Sequence, residues 1–381
     1  MSRKPFFKDC DLYPRDARTN REPIVHLAYT VPLGRTRARR AFDKALRLMH
    51  LTPLHRFAHD ALIPWQRPIR APHSITHNLL DAIRARGYDV RLYSLYEHTV
   101  ANLKEGDIFI GQPVPQGGFG AQRSYTDDRD SVTSRTIREF PSERNFIIMP
   151  YAHDVQYSTF AKELIGENQR AGGGSIFIGG KIWERDWNTR SPLSGLGSLR
   201  KLYLQMAVDA AEYPLVKTKF NPKGKRRYLY IGHTAWYKNT VELERIAARM
   251  PEYEFAHIGG GEVRGWKKLS NFASLTPEYV SLLAEKYDIF VNVSITDPQT
   301  TTVMEQMCFG FPVACTPESG YEYDSIVPLS VNDTAWNRKK LLELQFEGED
   351  ALFERARKNR DHVLKSHNWE TFTQSIMSFI L

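Results

Sequence analysis

Asp297 and Glu305, with Thr300, Thr301 and Thr302 between them, put two carboxylates and three hydroxyls into one short stretch, SITDPQTTTVMEQMCFGFPVACTPESG (294–320). The residues leading into it, YDIFVNVS (287–294), have the apolar pattern of a buried strand. After Pro298 the spacing becomes helical, with Val303 and Met307 on one stripe and Met304 and Cys308 on the next; Gly310 closes the helix and FPVAC (311–315) begins another strand. Such a βαβ unit opens its loop at the C-terminal edge of a parallel sheet, where these sheets bind ligands. A helix starting near Thr300 aims its unpaired N–H groups and positive dipole end at that edge, which favours a phosphate, and three hydroxyls add donors. Glu305, on the face of Thr301 and Thr302 and roughly one 5.4 Å turn deeper, is then placed to accept hydrogen bonds from the two hydroxyls of a ribose. Asp297 is left to meet the other side of the ligand. The plainer alternative is that Asp297 caps the helix and Glu305 is a solvated helix residue.

Two further groups have the right types and places. In Gly232-His233-Thr234-Ala235-Trp236-Tyr237-Lys238-Asn239, Gly232 lets the backbone turn at the end of the strand YLYIG (228–232), and Lys238 stands just before a helix beginning near Thr240. A lysine at that edge, beside the Thr300–Thr302 turn, can neutralise a diphosphate; a surface lysine at a helix start is the ordinary reading. Pro150-Tyr151-Ala152-His153-Asp154 directly follows the strand NFIIM (145–149), which puts His153 at a sheet edge, as a structural histidine or as one facing a cleft. Asp128-Arg129-Asp130 has an Asp-x-Asp form that can hold a divalent metal, but no apolar strand precedes it, so it reads as a solvated acidic loop and no metal ligand is expected.

The elements that must hold these groups alternate regularly. With 41% hydrophobic and 12% aromatic residues over 381 positions, the chain has globular composition and room for two domains. No run of about 18 apolar residues and no signal-peptide core occurs, and three scattered cysteines (Cys10, Cys308, Cys315) fit a reducing compartment, so a cytoplasmic location is expected. Strand patterns at 25–30, 89–95, 107–111, 145–149 and 175–179, with a helix over 73–90 ended by Gly87, describe a doubly wound α/β half. A helix over 197–211 and a short strand at 213–217 are expected to close it. A polar, basic segment (218–227) reads as a linker to a second α/β half with strands at 228–232 and 253–261 and helices over 240–250 and 276–287. The domains expected are thus a tail (1–21), a first domain (22–217), the linker, a second domain (228–365) and a closing helix (366–381). The loop 112–140, rich in glycine and charge, reads as mobile or disordered. An arginine-rich insertion, 35–49, reads as a basic amphipathic helix, which packs over the sheet or lies peripherally on an anionic membrane. The net charge of +8 asks for an anionic partner; no nucleic-acid module appears, and a basic nucleic-acid-binding protein is kept as the alternative from another class.

Asp297, seven residues, Glu305 and then Gly310-Phe311-Pro312-Val313 resembles the Glu, seven residues, Glu and Gly-x-Pro-Val signature of the retaining family 4 glycosyltransferases. Lys238, six positions after Gly232, resembles the Gly-Arg loop and lysine of that family, with His233 in place of the arginine, and His153-Asp154 resembles its His-Asp after a first-domain strand. The departures are Asp297 for the first glutamate and Pro298-Gln299-Thr300 for Gly-Phe-Gly. The resemblance implies the GT-B fold, two Rossmann-like domains facing across a cleft, with the last helix crossing back to the first domain. It implies transfer, with retention, of a sugar from a nucleotide-sugar donor to a sugar, lipid-linked or small-molecule acceptor, with no cofactor and no protein general base. Glu305 would hold the ribose, Lys238, His233 and the Thr300–Thr302 amides the diphosphate, and Asp297 and His153 the sugar. A sugar-nucleotide epimerase or phosphorylase of the same shape is the rival enzyme.

Overall fold

The computed structural model describes residues 23–29, 71–95, 100–114, 131–189, 192–197, 199–271 and 275–381. The insertion 35–49 and Asp128-Arg129-Asp130 lie outside the described residues. The first sheet contains β1 (Ile24–Tyr29), β2 (Asp89–Ser94), β3 (Ile108–Gly111), β4 (Asn145–Met149), β5 (Gly174–Ile178) and β6 (Lys201–Leu204) in the order β2-β1-β3-β4-β5-β6. The second contains β7 (Tyr228–Ile231), β8 (Phe255–Ile258), β9 (Lys267–Ser270), β10 (Ile289–Asn292), β11 (Val313–Cys315) and β12 (Val327–Pro328) in the order β12-β11-β10-β7-β8-β9. Every pairing is parallel. That is why the inner strands read as continuous apolar runs: helices cover both faces, and every residue of β1, β3, β4, β7, β8 and β10 is buried. In the second sheet the strand order reverses between β7 and β10, so the loops leaving these neighbours diverge and leave a crevice at their C-terminal ends.

Three expectations are corrected. Residues 197–211 are not a helix. They contain the edge strand β6, which pairs with β5 from Ser175↔Lys201 to Ile178↔Leu204, and a 3-10 turn at Ala210–Glu212 capped by Asp209. Leu199, Leu202 and Met206 have helical spacing, but a non-local edge pairing overrides it. Residues 213–217 are likewise not a strand; Val216 and Lys217 N–H both donate to the Phe309 carbonyl, at 3.1 and 3.0 Å. Of the segment 112–140, residues 115–130 lie outside the described residues, and the end expected as loop carries a helix, Val132–Glu139, capped by the Ser131 hydroxyl.

The segment 218–227 is polar but moored. Lys217 is fully buried and donates to Ala284 O (2.7 Å), Tyr287 O (2.7 Å) and Asp288 Oδ1 (3.0 Å), and burial pulls its pKa down. Asp288 also accepts from Asn221 N–H at 2.9 Å and from Arg227 N–H at 2.9 Å. Arg226, 1% exposed, donates to the carbonyls of Leu344 and Glu347. Charges this deep are held by matching most of their donors and acceptors, although Arg226 Nε has no partner among the described residues. The last helix, Trp369–Ile380, packs against the helix Ala71–Ala85 and β6, with the Phe379 and Phe146 rings 5.5 Å apart.

Candidate functional site

The crevice at the β7/β10 reversal is where the two distant polar stretches meet. β7 ends at Ile231, and at Gly232, the next residue, a Cβ would collide with the Tyr230 ring and hydroxyl. Gly259, at the end of β8, has φ +152°, and a Cβ there would overlap the Gly232 carbonyl. Glycine at both positions lets the strand ends pinch together and sends residues 233–239 over the sheet rim. His233 Nδ1 accepts from Ala235 N–H at 3.2 Å, which puts the neutral ring's proton on Nε2, 3.1 Å from the Tyr237 hydroxyl. Burial, and then Lys238, lower the His233 pKa. The 3-10 turn Trp236–Lys238 ends at Asn239, whose φ of 55° makes it the one non-glycine residue with positive φ among the described residues. Its side chain secures that strain by donating to Val331 O at 2.8 Å.

From β10 the chain runs through Ser294, whose N–H bonds Asn292 Oδ1 at 3.0 Å, and Ile295, whose N–H bonds Tyr237 O at 2.8 Å. The two loops are thereby tied, and Lys238 Nζ forms an ion pair with Asp297 Oδ2, both side chains about nine-tenths buried at 12% and 10% exposure. Asp297 lies five residues past β10 in this loop and does not cap the helix. Thr300 holds the cap position, and its own side chain makes no capping bond. Thr300 N–H donates to Ser319 O (3.2 Å), and the Tyr321 hydroxyl donates to Thr300 O (2.7 Å).

The helix Thr301–Phe309 thus begins at the crevice with unused donors. The hydroxyls of Thr300 and Thr302 are buried without a hydrogen-bond partner among the described residues, and Thr301 is the first helical residue, half-buried. Glu305, one turn on, is half-buried, and no hydrogen bond or ion pair of its carboxyl is seen among the described residues. Burial pushes its carboxyl up to about 7. It is therefore not the solvated helix residue of the plainer alternative.

His153 arrives from the first domain. The strand β4 ends at Met149, and Asp154 caps the next helix, Val155–Arg170, accepting from Gln156 N–H at 2.8 Å and Tyr157 N–H at 3.2 Å. The aspartate of the His-Asp pair is thus spent on a helix terminus. The His153 ring lies 5.3 Å from that of Trp183, and its Nδ1 is buried without a hydrogen-bond partner among the described residues. Burial lowers its pKa to about 4, with Asp297 pulling it up and Lys238 pushing it down, so the imidazole is neutral at pH 7. His153, Lys238 and Asp297, from two domains, therefore share one electrostatic neighbourhood.

Three contributors went unread in the sequence. Trp183 Nε1–H donates to Asp297 O at 2.8 Å, Gln299 Oε1 accepts from Met206 N–H at 2.6 Å, and Gly180 N–H donates to Pro298 O at 2.7 Å. The one signal was Gly179-Gly180 directly ahead of a helix, a spacing that permits close backbone approach.

No family model matches the chain, and no curated protein does. Solved structures do. Trehalose-6-phosphate synthase OtsA is similar with a TM-score of 0.54 at 11% identity, over 87% of this chain and 80% of that one. The UDP-forming α,α-trehalose-phosphate synthase from Burkholderia xenovorans gives 0.52 at 11% identity, over 73% of each. TarM gives 0.53 at 12% identity over 72% of this chain, which spans 55% of TarM's length. These neighbours are GT-B glycosyltransferases. No helix among the described residues is long and apolar enough to cross a membrane. Two parallel six-stranded sheets with flanking helices, facing each other as Rossmann-like domains, give this chain the GT-B fold.

Proposed function

We propose that this protein is a retaining glycosyltransferase that moves a sugar from a nucleoside diphosphate donor to a hydroxyl-bearing acceptor, a sugar or lipid-linked molecule, lodged against the first domain. The observation that carries this reading is the helix start at the β7/β10 crevice, where Thr300 and Thr302 have unmatched hydroxyls and Glu305, one turn deeper, holds a carboxyl raised by burial with no ion pair seen among the described residues. A diphosphate at the N–H groups and a ribose at Glu305 would satisfy them together. A further structure of TarM, at a TM-score of 0.50 and 14% identity, contains UDP, which supports a nucleotide in this type of fold.

The geometry suits loss of a phosphate leaving group. Lys238 has three N–H donors and gives one to Asp297, which leaves the ammonium able to meet the phosphate bonded to the sugar as that oxygen takes up charge. His233, neutral, stands beside it with its Nε2 against the Tyr237 hydroxyl at 3.1 Å, where an arginine would have brought permanent charge and a forked contact. Asp297 and the neutral His153 face the sugar. The C1–oxygen bond to phosphate breaks, the acceptor oxygen bonds C1, and the departing phosphate oxygen takes the acceptor's proton, so no protein base is assigned. Retention rests on the family resemblance of these motifs.

The test is a thermal-shift panel of UDP, GDP, ADP, dTDP and CDP, since a ligand at 100 times its Kd adds about 2.7 kcal/mol of stability. One or more should raise the melting temperature, and the corresponding nucleotide sugar should release its nucleoside diphosphate faster when acceptor is added. A protein that none of the five shifts, but that DNA or RNA shifts in a salt-dependent way, would overturn the reading.

A further inference from the structure

Nucleotide binding does not account for the way the first domain grips the loop that carries Asp297. β5 ends at Ile178 and the helix Lys181–Thr189 follows at once, so that Gly179 and Gly180 press on the second domain. A Cβ at Gly180 would overlap the Gly320 carbonyl, and one at Gly179 would come within 3.3 Å of Pro298 O. Besides Gly180 N–H on Pro298 O, Trp183 makes two contacts of different kinds. Its indole N–H holds the Asp297 carbonyl at 2.8 Å, and its ring lies against His153 at 5.3 Å. With the carbonyl of Asp297 turned toward the first domain, its carboxylate meets Lys238. The core does not need Trp183 for anchorage. Trp187, one turn on and 2% exposed, fastens this helix through Phe177 at 4.0 Å, while Trp183 is only half-buried.

We infer that Trp183 is a positioning residue for the transfer step: it sets the Asp297 backbone and the His153 ring in one arrangement, so the sugar-facing pair is assembled only while the domains are closed on each other. This rests on the glycosyl-transfer reading of the site. The nucleotide's own partners, Lys238, Glu305 and the helix N–H groups, all come from the second domain and do not need the indole.

The experiment compares Trp183→Phe, which keeps a ring but removes the N–H, with Trp183→Ala, which removes both, after confirming melting midpoints near wild type. Calorimetry with UDP, GDP, ADP, dTDP and CDP should give affinities within about twofold of wild type, because the indole holds the Asp297 loop and the His153 ring rather than the nucleotide. Release of nucleoside diphosphate from the matching glucose conjugates should fall about tenfold in kcat for Trp183→Phe and further for Trp183→Ala, with KM for the donor unchanged. Independently of turnover, the His153 imidazole resonance, assigned by its loss in His153→Gln, should titrate higher in Trp183→Ala by about one pH unit as the ring loses its cover. A wild-type kcat in Trp183→Phe, a parallel loss of affinity and kcat, or an unchanged His153 titration would overturn the inference. Should no nucleoside diphosphate bind even the wild type, the functional reading fails, and the His153 titration still decides the role of Trp183.

Discussion

Glu305 offers the sharpest test of the site, because its chemistry is set by what it lacks. The carboxyl is half-buried and raised from the ordinary 4.5 to about 7 by burial alone. Between those pH values the folded chain binds a proton that the unfolded chain has released, so stability falls as pH rises from 4.5 through 7. At about 1.36 kcal/mol for each pH unit separating the two values, the full loss is about 3 kcal/mol. Glu305→Gln removes the ionisation and keeps the shape. Urea unfolding at pH 5, 6, 7 and 8 should show the variant gaining on wild type as pH rises, with most of the gap present by pH 8. A nucleoside diphosphate should reverse this order: ribose hydroxyls donating to the carboxylate favour its charged form, so binding at pH 7 should release up to about half a proton in wild type and none in Glu305→Gln. Calorimetry in buffers of different ionisation enthalpy reads that number. Parallel stability curves for the two proteins, or nucleotide binding with proton uptake, would refute the assignment of Glu305 as an unmatched ribose acceptor.

Lys238→Ala should lower nucleoside diphosphate affinity about tenfold or more and reduce turnover further, because the ammonium meets charge that grows in the transition state; wild-type turnover would remove Lys238 from the site. At Asn239, φ of 55° is easy for glycine and strained for alanine, so Asn239→Ala should be about 1 kcal/mol less stable than Asn239→Gly, although both lose the bond to Val331, as urea midpoints will show. Lys217→Met leaves the Asp288 carboxylate buried without its ammonium and should cost about 3 kcal/mol, part of which Lys217→Met combined with Asp288→Asn should recover. In Gly259→Ala the new methyl would strike the Gly232 carbonyl, so nucleotide affinity and the melting temperature should fall together.

Much of the local structure was legible because its determinants lie close together in the chain. Apolar runs marked the buried parallel strands, and Gly87 and Gly310 marked helix ends, where their φ values of 82° and 89° exclude most side chains. Pro298 and the threonines marked a helix start at the sheet rim, and Thr301 is indeed its first residue. The edge strand β6 was not legible, because its pairing with β5 competes with a helical spacing that is equally visible in the letters. Nor was the mooring of 218–227, since a basic stretch looks solvated until Asp288, some seventy residues away, is brought beneath Lys217.

The sequence by itself determined which side chains reach the ends of β4, β7 and β10, because strand period and turn residues act over a few positions. Only the tertiary structure decided that Lys238 would meet Asp297, that His153 would join them from the other domain with Trp183 between, and that Glu305 would be left without a counter-charge. Strand order and domain closure set those outcomes. Both depend on contacts between segments far apart in the chain, whose burial and pairing no local pattern encodes.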